Sequence, residues 1–301
     1  MFWIWLACQS TDVPLQKVQA EGPLEVWSLS YPVHYLAQRI GGEQIKLRVL
    51  LPEGEDATDW WPTPAQITQL AQSDLVLANG ANFESWVNTA SLPTGLVVSA
   101  AKGFSAIEIE GHTHSHGKGG AHSHAGIDPY VWMDPDIYRL QAKQVTQSLK
   151  DRDSEHAELY QSRFEDFSAE LDQLITESLP VMTLLKDHAI AANHPVYNYW
   201  MRRFELDIRS FDIPSDESPE TTDVVDVNAW VSASSNPILF WGATPSDGLQ
   251  EFLKGPTHLV IDNLEVASSG QMYDYLKQYR ANLSRIQASF KTDVQEGIDV
   301  P

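Results

Sequence analysis

The chain has 301 residues and 43% hydrophobic content, enough to bury two globular cores of ordinary size rather than one very large one. Lys and Arg total 20 against 41 Asp and Glu, a formal net charge of -21, so the summed field repels phosphate backbones and draws cations, which argues against nucleic-acid binding. The one cysteine, Cys8, excludes an internal disulfide and any zinc site built from four thiolates.

The chain starts with the apolar run Met1-Phe2-Trp3-Ile4-Trp5-Leu6-Ala7, too short to span a bilayer and without the basic start of a full signal peptide. Leu6-Ala7-Cys8, followed by polar Gln9-Ser10-Thr11-Asp12, resembles the end of a bacterial lipoprotein signal, in which the Cys is lipidated after cleavage. Trp5 stands where an aliphatic residue is usual, and an incidental free Cys is the alternative. No other stretch is long and apolar enough to cross a membrane.

From Leu24 onward short apolar runs alternate with helical ones. Val26 to Leu29 reads as a strand, Pro32 to Ile40 as a helix closed by Gly41-Gly42, and Ile45 to Leu51 as a second strand. Thr63-Pro64-Ala65-Gln66 carries a helix start, with Thr as cap, Pro at the first helical position and Gln three residues after the cap. Leu75 to Ala78 and Leu96 to Val98 are further buried strands. Gly111 to Gly126 is rich in Gly and His, lacks an apolar period, and is expected to be a loop. Beyond Asp134-Pro135 runs a long helical stretch, broken or kinked near Asp151-Arg152-Asp153, with Tyr160, Phe164, Phe167, Leu171, Leu174 and Leu179 on an apolar face. The rhythm then repeats, with strands at Ala189 to Ala192, Ile238 to Phe240 and Leu259 to Ile261, and helices at Val196 to Phe204 and Gln271 to Phe290.

Strands alternating with helices predict an α/β fold, two lobes with mostly parallel sheets joined by a long linking helix. The expected organisation is residues 1–23 as signal remnant and flexible N-terminus and 24–135 as the first α/β lobe, carrying the His-rich loop 111–126. Residues 136–180 then form the linking helical region and 181–301 the second lobe.

Five of the ten histidines, His112, His114, His116, His122 and His124, fall in one short segment. In extended chain, residues i and i+2 point to one side, so His112, His114 and His116 can form one comb and His122 with His124 another. The Gly117-Lys118-Gly119-Gly120 turn lets the two face each other. Neutral imidazole is a good ligand for zinc, copper and nickel and titrates near neutral pH, so this segment is expected to be a flexible metal-capture loop. A solvated His-rich segment without a ligand is the alternative.

The order of elements, with Ala78-Asn79-Gly80-Ala81-Asn82-Phe83-Glu84-Ser85-Trp86, the His loop, Asp128-Pro129-Tyr130-Val131-Trp132-Met133-Asp134-Pro135 and Asn193-His194-Pro195, resembles the metal-binding solute receptors of zinc and manganese ABC importers from about Leu24 to Phe290. That resemblance implies two (β/α) lobes linked by one rigid helix with a metal bound in the cleft between them. The His-rich loop points to the zinc branch. Carried over residue by residue, the first metal histidine of the family falls on Thr58 and the second on Tyr130, so both are substituted here, while the third falls on His194 and the final acidic ligand on Asp262.

The resemblance therefore implies capture of Zn2+, or of Mn2+ or another divalent metal, outside the cytoplasmic membrane and delivery to an ABC permease by a monomer without a chemical step. Histidines of the loop, above all His116, His122 or His124, are expected to complete a site with His194 and Asp262. A periplasmic zinc buffer or chaperone, or a receptor for a metal chelate, is the alternative suggested by Thr58 and Tyr130. A metallohydrolase is disfavoured, since the sequence has no His-Glu-x-x-His helix, Gly-x-Ser-x-Gly elbow or phosphate-binding Gly-x-x-x-x-Gly-Lys segment. His34, His156, His188 and His258 read as surface or satisfied core histidines, the tryptophans as packing or cleft walls, and Asp212 with the acidic run Asp216 to Asp226 as a solvated face, the alternative being that one of these carboxylates helps hold the metal.

Overall fold

A computed structural model of the chain describes residues 22–109, 113–115, 121–123, 126–218, 221–266 and 272–296. The first sheet is built from β1 (Leu24–Ser28), β2 (Ile45–Val49), β3 (Leu75–Ala78) and β4 (Val97–Ser99), all parallel in the order β2-β1-β3-β4. Parallel strands need crossovers, here supplied by α1 (Tyr31–Gly41) and α2 (Pro64–Leu70). Pro32 in the first turn presets the helical φ of α1, and Gly42 ends it at a φ of 54, a left-handed value that a Cβ would resist. The start of α2 is the expected capping box: Thr63 accepts from Gln66 N, and the Gln66 side chain accepts from Thr63 N.

Two small antiparallel ladders follow. β5 (Glu108–Ile109) pairs with β8 (Gly126–Ile127), and between them β6 (Thr113–Ser115) pairs with β7 (Ala121–Ser123), with His114 directly opposite His122. The His-rich segment is thus not irregular throughout, because even short ribbons pair their own backbone N–H and C=O groups. His112, His116 and His124 lie outside the described residues, as does Cys8.

The long helical stretch expected to be broken or kinked near Asp151–Asp153 is broken there into two helices, α3 (Pro135–Lys150) and α4 (Ala157–Thr183), packed against each other. The break is anchored from outside: Arg152 donates to the carbonyls of Asp74 and Gly95 in the first lobe, while Asp153 accepts from His156 N and the Tyr160 hydroxyl. Tyr160, Phe167, Leu171 and Leu174 are buried on α4 as the period requires, but Leu179 is 53% exposed. It stands five residues from Leu174, off the helical repeat that Ser178 and Val181 continue.

The second sheet comprises β9 (Ile190–Ala192), β10 (Arg209–Ser210), β11 (Ile238–Trp241) and β12 (Thr257–Val260), again all parallel, in the order β10-β9-β11-β12. Helices α5 (Asn198–Arg203), α6 (Thr222–Ala233) and α7 (Asp247–Phe252) connect them, and α8 (Tyr275–Glu296) closes the chain, beginning four residues after the expected Gln271, which is outside the described residues. The acidic stretch read as a solvated face contains the start of α6, which buries Val224, Val227 and Val231. None of the described helices is long and apolar enough to cross a membrane.

One apolar cluster runs from the first sheet through α3 and α4 to the second sheet and α8, joining Val26, Leu77, Tyr138, Phe167, Phe240 and Tyr275. Each lobe also has a smaller cluster of its own, around Val76 and Trp86 in the first and around Val224 and Trp241 in the second, so the two expected cores are present and a larger shared one joins the lobes. Phe167 sits near the middle, its ring 6.1 Å from Tyr35 and 5.9 Å from Tyr138, with the Arg39 guanidinium 5.2 Å from its centroid. Phe167→Ala is expected to cost about 3–5 kcal/mol in urea unfolding. A loss within about 0.5 kcal/mol, the range of surface substitutions, would contradict this packing.

Candidate functional site

In parallel α/β sheets, ligands gather outside the carboxyl ends of the strands. Three residues with ligand chemistry stand two positions beyond such ends in the second sheet: His194 after β9, Asp212 after β10 and Asp262 after β12. Strands β9 and β10 are neighbours, with Ala192 paired to Ser210, and this register carries residue 212 alongside residue 194. There the His194 Nδ1 lies 2.8 Å from Asp212 Oδ1. The two side chains are only 24% and 12% exposed, so Asp212 belongs to the cleft and not to the solvated face expected for it.

The turn that holds His194 is rigid. Asn193, buried, donates through Nδ2 to Ile213 O at 2.8 Å and accepts at Oδ1 from Gly242 N at 3.0 Å, while Ile213 N donates to Asn193 O. One amide side chain therefore ties together the three strand ends of β9, β10 and β11.

Asp262 is separated from His194 by β11, two strand spacings or roughly 10 Å of sheet. Its backbone is clamped by Asn282, which accepts from Asp262 N and donates to Asp262 O. Its carboxylate accepts from Leu264 N at 2.8 Å and from Gln278 Nε2 at 3.0 Å. Among the described residues, no three His, Cys, Asp or Glu side chains come together closely enough to hold a metal ion. His194 and Asp262 share a cleft edge but do not by themselves form a cage.

The two substituted positions behave differently. Thr58 donates from its hydroxyl and its N–H to Asp56 Oδ1, at 2.6 and 2.8 Å, so it closes a local turn. Tyr130 is 3% exposed, its ring edge-on to His194 with centroids 6.3 Å apart and packed against Phe83 and Trp132. Burial, then the negative charge of Glu265, Asp56, Asp128 and Asp212, hold its hydroxyl well above the ordinary phenol range. Tyr130 thus reports an acidic surround contributed from both sheets.

Two members of that surround went unrecognised in the sequence. Asp128 is fully buried, accepts from Tyr130 N at 2.9 Å and from Asn198 Nδ2 on α5 at 3.0 Å, and is pushed up to about 6 by burial against those hydrogen bonds. Glu265 is buried against the turn containing Ala57 and is raised to about 8, by burial first and then by Asp56. The Asp-Pro pair opening the Tyr130 segment was a visible signal for Asp128; nothing local marks Glu265, whose neighbours come from the first lobe. The scattered histidines have the structural partners expected of them: Ser28 for His34, Asp153 for His156, Phe290 for His188 and Trp241 for His258. Trp132, Trp200 and Trp241 are fully buried packing residues, whereas Trp61 is 58% exposed.

The family model described as zinc-uptake complex component A, periplasmic, matches residues 26–289. The chain belongs to that family. Among curated relatives, a putative metal-binding protein of Treponema pallidum (strain Nichols) is 23% identical over 261 residues, covering 83% of this chain and 82% of the relative. The high-affinity zinc uptake system protein ZnuA of Bacillus subtilis (strain 168) is 21% identical over 301 residues, covering 96% and 94%. Among solved structures, the metal-dependent lipoprotein YcdH of Bacillus subtilis superposes with a TM-score of 0.75 at 21% identity, over 88% of this chain and 98% of that one. The Zn(II)-bound ZnuA-like domain of Streptococcus pneumoniae AdcA also gives 0.75, at 17% identity, over 89% and 98%. The two-lobed α/β fold expected from the sequence is thus the fold of the zinc-uptake component A family.

Glu265 yields a pH test. Its folded-state pKa, about 8, lies above the ordinary carboxyl value of about 4.3, so the folded state binds the proton more tightly than the unfolded one. Its contribution to stability is fully present below the unfolded value and is lost as pH rises toward 8. In metal-free protein, Glu265→Gln is therefore expected to gain stability over wild type progressively between pH 5 and 8, read from urea midpoints. The same midpoint difference at both ends of that range would refute the assignment.

Proposed function

We propose that this chain is an extracytoplasmic receptor that captures Zn2+, or a similar divalent ion such as Mn2+, and delivers it to the permease of an ABC importer without a chemical step. The observation that carries this reading is a partly buried His194–Asp212 pair at the carboxyl edge of the second sheet, in a chain that the zinc-uptake family model matches from residue 26 to 289. A carboxylate behind an imidazole is the usual support of a metal-binding histidine. Asp56 and Asp212 near Tyr130 add negative charge that favours a divalent cation.

His194 supplies one imidazole and Asp262 an oxygen ligand, and the histidine ribbon supplies the nitrogens that Thr58 and Tyr130 do not. The ribbon's paired stem, Glu108 with Ile127, ends next to Asp128 and Tyr130, so the segment between its strands is rooted at the cleft. His112, His114, His116, His122 and His124 are the candidate donors. The protein acts as a monomer, tethered to the membrane through lipidated Cys8. The continuous core predicts small lobe movements on metal uptake, because packed interiors resist continuous deformation.

Calorimetry on the metal-free chain tests this. One tightly bound zinc per chain is expected, and His194→Ala is expected to weaken it by more than the roughly 10–100-fold seen for outer-shell losses. Deleting residues 112–124 is expected to lower affinity or stoichiometry; unchanged values for both would remove the ribbon from the site. A wild-type chain that binds neither zinc nor manganese would overturn the transport reading as a whole.

A further inference from the structure

We infer that Asp212 is the positioning residue that selects the metal-ligating tautomer of His194, a role set by strand register. The inference rests on His194 being a ligand of the cargo, and it adds the group that makes this histidine competent before the metal arrives.

Histidine offers two nitrogens, and in the neutral ring one carries the proton while the other holds the lone pair. The Nδ1 of His194 faces Asp212 Oδ1 at 2.8 Å. An ionised carboxylate only accepts, so this contact requires the proton on Nδ1 and assigns the lone pair to Nε2. The ring is further oriented by its edge-on packing against Tyr130, 6.3 Å between centroids at 85°. Both partners are framed by backbone hydrogen bonds. Phe211 N donates to Ala192 O, Ile213 N donates to Asn193 O, and Asn193 Nδ2 donates to Ile213 O, so residue 212 is bracketed on both sides by the chain leading to His194. A one-residue slip of β10 on β9 would send the residue 212 side chain to the other face.

The consequence bears on the two substituted positions. A site built around one cleft imidazole and not three loses heavily if that imidazole is in the wrong tautomer for part of the time. A carboxylate at 212 removes that loss in advance, since the imidazole needs no proton rearrangement when the ion binds.

The test uses the full metal-free chain and Asp212→Asn, Asp212→Glu, His194→Ala and the double variant His194→Ala with Asp212→Asn. An Asn amide can donate to Nδ1, moving the proton to Nε2. Nitrogen-15 spectra of the imidazoles are expected to show His194 protonated at Nδ1 in wild type and at Nε2 in Asp212→Asn. Zinc affinity, by competition with a chromophoric chelator, is expected to fall about 10–100-fold in Asp212→Asn, to recover in part in Asp212→Glu, and to change no further when Asp212→Asn is added to His194→Ala. Wild-type His194 protonated at Nε2 would overturn the inference. So would an Asp212→Asn chain that binds zinc as wild type does, or one that loses as much affinity without His194 as with it. The tautomer is read without metal, so a chain that bound neither zinc nor manganese would sink the transport reading while this assignment stood or fell on the spectra.

Discussion

The candidate site depends above all on the parallel register of the second sheet. Because β10 lies beside β9 with Ser210 opposite Ala192, the first residues past the two strands leave side by side, and the side chains at 194 and 212 meet. Parallel strands bring all their carboxyl ends to one edge, which is why His194, Asp212 and Asp262 face one cleft although 68 residues of sequence separate the first from the last. Asn193 makes the arrangement rigid by hydrogen bonding across three strand ends. A histidine held in this way gives up little freedom when it binds an ion, and preorganisation of that kind is worth affinity.

The lobes are held against each other by aromatic packing and by hydrogen bonds that cross the cleft. Trp132 donates to Asn263 O, the Tyr275 hydroxyl donates to Trp132 O, and Asp128 of the first lobe accepts from Asn198 of the second. The Tyr138 and Tyr275 rings lie 4.0 Å apart within the continuous core. A receptor built in this way presents one docked surface and moves by small adjustments rather than by wide opening, since separating the lobes would expose these rings to water. Arg203 on α5 adds a bond to Asp136 at the start of α3, 2.8 Å long but partly exposed, and so a minor contribution.

The departures from the family pattern are ordered and not random. Thr58 is used in a turn with Asp56, and Tyr130 is packed into an aromatic group with Phe83 and Trp132. Buried carboxyls approach the Tyr130 ring from both lobes, and burial raises Asp128 to about 6 and Glu265 to about 8, so these groups hold their protons more tightly than free carboxyls do. Neither Thr58 nor Tyr130 brings an imidazole to the cleft, where His194 stands beside Asp212.

Much of the fold was legible in the sequence. Alternating apolar runs marked the strands, Thr63-Pro64-Ala65-Gln66 marked the start of α2, and Pro135 marked that of α3, because caps and periodicity are local properties of a few neighbouring residues. His194 and Asp262 were singled out through family resemblance, and both stand just past strand ends at the carboxyl edge of the second sheet. Asp212 was read chiefly as one more acid before the charged stretch at 216–226, and its place beside His194 follows from a pairing between residues 18 apart in sequence. Glu265 was hidden for the same reason, since its pKa is raised by burial and by Asp56, a residue of the other lobe. The interruption between α3 and α4 was readable as a break or a kink, and Arg152 donates from it to two carbonyls of the first lobe. Local chemistry thus determined which segments became strands and helices, whereas tertiary structure decided which charges share a cleft, because electrostatic partnership depends on distance in space and the sequence reports only distance along the chain.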